Sequence, residues 1–311
     1  MLAVIGALVA NGLITILKFI GAIITGSSGM MAESFHSLAD TTNQVFLLLG
    51  LRFFKRPPSE KHPFGYGKER FFWSFIAAIF IFGVGATFAL YEGFQKLTHP
   101  HPPENVFWAY VILGISSVLE AGSIGLALYQ EIKEAHHEGL SFRQYLRESK
   151  DPTAKTVLFE DSAALIGIVL AALGIYLSDH YGAAYWDGVA SMAIGVVLAI
   201  VAFVLARISR GLLLGEAAIP SSVEAIRKAI NAHPNVNDVV ELLTMHMAPK
   251  QILVNAHVNL KEHMTNAEIV ETISEVEEQI KKVEPKVDMI FLEAASLIPG
   301  DNREVNPKHF G

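Results

Sequence analysis

Glu33, His36, Asp40, Asn43 and Gln44 follow one another at separations of 3, 4, 3 and 1 residues inside an otherwise apolar segment. On a helix of 3.6 residues per turn they fall on one stripe. His36 and Asp40, four residues apart, are neighbours on that stripe and can reach one ion. An ionised side chain near a bilayer centre costs about 2.5–3.5 kcal/mol on insertion scales, so such a wall persists where it faces a cavity, a partner or a metal. A later apolar run, Val157 to Ile175, carries the adjacent acids Glu160 and Asp161. The two point about 100° apart on a helix, so one compact site takes one easily and both only if the ion lies between helices or the backbone bends. Asp161 is the stronger candidate. One imidazole with two or three carboxylates suits four-coordinate zinc, and iron, cobalt or manganese accept similar ligands. The competing reading is a set of interhelical hydrogen bonds or a proton-sharing pair with no ion.

The elements that would position these residues are membrane spans. Of 311 residues, 51% are apolar and 18% charged, with a positive mean hydropathy, a balance that points to a lipid bilayer as the solvent. A span needs about 20 mainly apolar residues. Six stretches qualify, at about 2–24, 31–53, 71–97, 105–129, 156–177 and 187–207. The N-terminal run has no basic flank or small-residue cleavage site and is expected to be the first span, not a leader. Segment Arg52–Arg70 holds six Lys or Arg residues and Gln130–Thr156 holds five, whereas the turns Gly26–Gly29 and Ser178–Trp186 hold none. Basic loops stay in the cytoplasm, which puts both termini there and Gln95–Asn105 outside. The absence of cysteine excludes disulfides and thiolate ligands.

After Arg210 the pattern becomes that of a soluble unit. A helix is expected from Ser221 to Ala232, capped by Ser221 or Ser222 and closed before Pro234. Strands at Val236–Thr244 and Gln251–Leu260, an amphipathic helix Thr265–Val283 and a strand Val287–Leu292 follow. In the second strand Ile252, Val254, Ala256, Val258 and Leu260 share one face, and Asn255, His257 and Asn259 the other. The expected fold is thus an all-α six-helix transmembrane bundle, residues 1–210, followed by a small α+β cytoplasmic domain, residues 211–311. The tail has αββαβ order and is ferredoxin-like, or metallochaperone-like.

The motif His36-Ser-Leu-Ala-Asp40, the loop His62-Pro-Phe-Gly-Tyr-Gly-Lys68, Asp161, Asp187 and the αββαβ tail together resemble the cation diffusion facilitator family of zinc transporters, over essentially the whole chain. The resemblance implies a homodimer, joined through its C-terminal and transmembrane domains, that moves zinc by alternating access in exchange for protons. Its site would lie between the second and fifth spans. Many members carry His or Asp four residues before Asp161, where this chain has Val157. The adjacent Glu160-Asp161 pair is similar instead to the branch containing the mitochondrial-type zinc transporter nine, so Glu160 is expected to supply the missing ligand. Glu33 and Glu120 are further buried acids that could bind metal or relay protons.

His62 sits where bacterial YiiP-type exporters have another zinc site, but Ser59 and Tyr66 occupy its other places. Gly65 and Gly67 are expected to shape a turn there, with Lys68 and Arg70 anchoring the helix. His136 with His137, and His99 with His101, read as solvated loop histidines. In the tail His257 falls where related exporters have a regulatory ligand and Glu293 lies near another, while Val240 and Leu292 replace the rest. The tail is therefore expected mainly to dimerise, with Met245-His246-Met247 as core rather than copper ligands. No HExxH pair or general base marks an intramembrane hydrolase, and nothing suggests an enzyme, an organic cofactor or a nucleic-acid partner. The expected identity is a multi-pass efflux transporter of zinc, in a bacterial plasma membrane. A metal sensor that binds without transporting is the remaining alternative.

Overall fold

A computed structural model describes residues 2–137 and 139–294. Their contacts fall into two compact units that part between Leu214 and Gly215. In the first, α1 (Leu2–Thr25) turns at Gly26, whose φ of 61° is the left-handed region glycine tolerates, into α2 (Ser28–Phe54). The hydroxyl of Ser27 caps α2 by accepting from the Met30 N–H. Next come α3 (Glu69–Phe80), a π-helical turn (Ile81–Ala86) and α4 (Thr87–Thr98), forming one continuous rod. The rod is followed by α5 (Val106–His137), the short α6 (Phe142–Glu148), α7 (Pro152–Tyr181) and α8 (Tyr185–Leu214).

Four of these rods are long and apolar enough to cross a membrane: Glu69–Thr98, Val106–His137, Lys155–Tyr181 and Tyr185–Leu214. The other two expected spans fall on α1, a 24-residue helix in which Lys18 is the one charged residue, and on α2, whose polar stripe lowers its hydropathy. Small residues let the rods approach closely. A Cβ on Gly174 of α7 would stand 2.4 Å from the Ala190 Cβ of α8. One on Gly93 of α4 would stand 2.8 Å from the Gly188 carbonyl. The core between them is built of Met30, Ala32, Ala86, Ala171, Ile175, Ile194 and Leu198.

Two expectations for this unit change. The fourth span does not stop near residue 129 but continues to His137, so His136 and His137 end a helix instead of lying in the loop; Gln130–His137 contains neither Gly nor Pro to break it. The third is interrupted by the π-turn, a feature often found at functional sites. A Cβ on its Gly85 would come 3.6 Å from Ala39 of α2, next to Asp40.

The second unit runs α9 (Pro220–Asn231), β1 (Val236–Ala248), β2 (Gln251–Leu260), α10 (Asn266–Val283) and β3 (Val287–Ala294); residues 295–311 of the expected tail lie outside the described residues. Strand β2 is central, antiparallel to β1 and parallel to β3. Its Ile252, Val254, Ala256, Val258 and Leu260 are buried as the alternation requires, against Ile226 and Ile230 of α9 and Val276 and Ile280 of α10. The expected serine cap of α9 is not made. Ile219 is the N-cap, with no side-chain bond, and Pro220 opens the helix, where its fixed φ and missing N–H cost nothing. Ser222 lies inside α9 and its hydroxyl donates to Glu284.

Candidate metal centre

The α2 stripe faces α1 and α7. His36 is 3% exposed and Asp40 half-buried. Asn11 Nδ2 of α1 donates to Asp40 Oδ2 at 3.4 Å. From α7, the Glu160 carboxyl meets that of Asp40, and its Oε2 accepts from Asn43 Nδ2. Asp161 turns towards α5, where Ser123 Oγ donates to its Oδ2 at 2.8 Å, yet its charge is still felt at Asp40. Glu120 of α5 lies within electrostatic range of Glu33, Asp40 and Asp161. Two carboxyl groups facing each other away from water are stable only with a proton or a cation between them.

Several acceptors here are unused. Glu160 Oε1, Asn43 Oδ1 and His36 Nδ1 are buried without a hydrogen-bond partner among the described residues. Orphaned buried acceptors carry a desolvation cost, which a bound cation would remove. Among the described residues, no three of His, Asp and Glu are already gathered so as to hold a metal. The structure joins Asp40 with Glu160 and leaves His36 one turn away on the same helix.

Two elements of this interior have no counterpart in the expectations. Lys18 of α1, with no side-chain exposure, pairs with the equally buried Glu33, Nζ to Oε2 3.0 Å. The signal was a lone lysine in a 24-residue apolar helix, which by its insertion cost needs a buried partner. Asp187 does more than open α8. It accepts from Ser27 Oγ at 2.7 Å and from the Ser28 and Gly29 N–H groups at 2.7 and 3.1 Å. An α8 carboxylate thereby holds the N-terminus of α2, where the helix dipole favours negative charge. Lys96 Nζ lies 3.5 Å from Asp187 and also donates to the Gly26 carbonyl at 2.6 Å.

The remaining candidates lie elsewhere. His62 stands in an exposed loop against the Tyr66 ring, 4.6 Å between centroids, while Ser59 and Tyr66 hydrogen-bond each other. Gly65 turns that loop with φ 81°. Arg70 forks onto Asp151, both contacts 3.0 Å. His101 is not simply solvated: its Nδ1 lies 2.9 Å from Lys96 Nζ. In the second unit His257 sits between Glu241, at 3.8 Å, and Glu293, at 3.0 Å.

A helical membrane protein whose interior is lined by acids from α2, α5 and α7 has the makings of a cation carrier. Residues 4–214 match the cation efflux transmembrane domain and residues 220–292 the cation efflux protein cytoplasmic domain, so the chain belongs to the cation efflux family of membrane transporters. It is 33% identical over 301 residues to the mitochondrial proton-coupled zinc antiporter SLC30A9 of Xenopus laevis, covering 96% of this chain and 53% of that protein. It is 34% identical over 263 residues to metal tolerance protein C4 of Arabidopsis thaliana, covering 84% and 57%. Against the cation-efflux pump FieF of Serratia proteamaculans it is 23% identical over 300 residues, covering 96% and 93%. The chain thus spans about half the length of the SLC30A9 relative and nearly all of the bacterial pump.

Proposed function

We propose that this chain exports a divalent cation, zinc in the first place, in exchange for protons, through a site made of His36, Asp40, Glu160 and Asp161. The observation that carries the reading is the meeting of Asp40 and Glu160 beside unused buried acceptors on His36, Asn43 and Glu160. The zinc antiporter name of the SLC30A9 relative supports the metal and the counter-ion. The cation is substrate, not a resident cofactor. It enters between α2 and α7, draws His36 and Asp161 towards the Asp40–Glu160 pair, and displaces the proton that holds that pair together. Ligation requires neutral imidazole and ionised carboxylates, so protons arriving from the acidic side compete for the same atoms and release the ion. Glu120, within electrostatic range of Asp161, is the proposed proton relay.

In this reading α1, α2, the α3–α4 rod, α5, α7 and α8 are six spans, with residues 1–210 as the transport domain. Residues 211–311 form a cytoplasmic αββαβ module, both termini are cytoplasmic, and two copies pair through both domains. The basic loops support the orientation; the host membrane proposed is a bacterial plasma membrane, whereas the SLC30A9 relative is named as mitochondrial. Iron, cobalt or manganese would use the same ligands. The test is zinc flux into proteoliposomes under a pH gradient, with competing metals. Asp40→Ala and Glu160→Ala should each abolish flux, and a variant of either that transports normally sinks the site. Zinc binding with no flux in the unmodified protein identifies a sensor instead.

A further inference from the structure

The Lys18–Glu33 pair is not needed as a ligand in the proposed site, yet the fold is built around it. Both side chains are completely buried. Glu33 Oε1 has no hydrogen-bond partner among the described residues, and it presses so closely on α7 that a Cβ on Gly167 would stand 2.1 Å from it. Glycine at 167 is what lets α7 close over the carboxylate. At the same level, Phe35 meets Phe19 of α1 edge-on at 5.3 Å and stacks on Phe88 of α4 at 4.4 Å. Along α2, all of residues 28–34 but Met31 are buried, whereas beyond Ala39 only Asn43, Leu47 and Gly50 are, and Asp40, Thr41, Thr42 and Gln44 are half-buried. The interior is therefore sealed on the Ser27 side of His36 and looser on the Asp40 side.

An ion pair suits a seal that must open. Burying two charges costs about what their attraction returns, so parting them into water forfeits little. An apolar plug of the same size would open against the full hydrophobic term of about 25 cal/mol per Å². We propose that Lys18 and Glu33, roofed by Gly167, form the gate that closes the transport site on the Ser27 side and parts once in each cycle. This rests on the transport reading given above.

The chain has no cysteine, so one introduced thiol reports access. Ser37 lies four residues beyond Glu33 on the same face of α2, is 6% exposed, and its Oγ has no hydrogen-bond partner among the described residues. Ser37→Cys in the full chain is labelled with a membrane-impermeant maleimide from the face bearing the Gly26–Ser27 turn. Adding Lys18→Met strands the Glu33 charge, which draws in water, and labelling should quicken by about fivefold or more. Adding Lys18→Met with Glu33→Met gives an apolar plug in a folded protein. Labelling should then fall below that of the Ser37→Cys parent and zinc flux by about tenfold, with zinc binding held within about threefold. Equal labelling of all three proteins overturns the gate, and so does loss of zinc binding in the double variant, which would make Glu33 a ligand. If the parent moves no zinc but the labelling order holds, the transport reading fails, and with it the gate, although the pair still seals the interior on the Ser27 side.

Discussion

Asp187→Ala asks whether α8 holds α2 in place. The substitution removes a carboxylate that accepts from Ser27 Oγ and from the Ser28 and Gly29 N–H groups, in a site where neither it nor Lys96 is more than 2% exposed. Losing a helix N-cap costs about 0.5–2 kcal/mol, and hydrogen bonds to a charged group contribute about 1.5–3 kcal/mol. Breaking a buried ion pair costs about 3–5 kcal/mol. The cap and the charged hydrogen bonds are the same contacts and count once, and Lys96 keeps the Gly26 carbonyl and His101 as partners, so the ion-pair loss is partial and the total should stand near 3–4 kcal/mol. The assay is reversible denaturant unfolding in mixed micelles, followed by tryptophan fluorescence, on Asp187→Ala, Lys96→Met and the double variant. The double variant should cost about 1–2 kcal/mol less than the sum of the singles, because Lys96→Met removes the charge that Asp187→Ala strands. Additivity within about 0.5 kcal/mol refutes the coupling. A cost for Asp187→Ala below about 1 kcal/mol refutes the cap itself. His36 and Asp40 lie roughly two and three turns along α2 from the capped end, so zinc affinity should weaken in Asp187→Ala although the residue touches no ligand.

Gly167→Ala should destabilise the protein by about 1–3 kcal/mol by overpacking α7 on Glu33; thermal unfolding with and without Glu33→Ala checks it, since shortening Glu33 should recover part of the loss. Glu160→Gln keeps the bond from Asn43 but removes a charge at Asp40, so calorimetry should show zinc binding weakened by about tenfold or more, and unchanged affinity would remove Glu160 from the ligands. Thr265 donates its N–H and hydroxyl to Glu268 at 2.7 and 2.8 Å, holding that carboxyl below the usual glutamate range. A depressed folded pKa adds stability above the unfolded value of about 4.3, lost as pH falls through the folded value. Unfolding curves should accordingly lose this contribution below about pH 4, and Glu268→Gln should flatten that part of the profile, whereas Thr265→Ala, which keeps the N–H bond, should flatten it only in part.

Periodicity and composition decided the local questions. Apolar runs marked the helical spans because a chain in lipid must satisfy its backbone within each segment, and period-two alternation in Gln251–Leu260 placed its buried face. The 3.6-residue stripe put His36, Asp40 and Asn43 on one wall, and that wall faces Glu160. These are relations within one element or between residue types with one strong preference.

Relations between elements were settled by packing alone. The sequence placed Glu33 on the stripe and left Lys18 of α1 in need of a buried partner, but not that the two would pair between α1 and α2, because partner choice depends on helix rotation and separation. Asp187 and Ser28 are joined across 159 residues, a distance no periodicity spans. Pro220 displaced the serine cap of α9 because the arriving chain presents Ile219, with extended backbone, where the helix begins. Helix α5 ran past its apolar stretch since hydropathy reports where lipid ends, whereas a helix ends where its backbone bonds do. A single chain thus fixes which residues carry charge into the membrane, and only the approach of small residues such as Gly167 and Gly174 decides which of those charges meet.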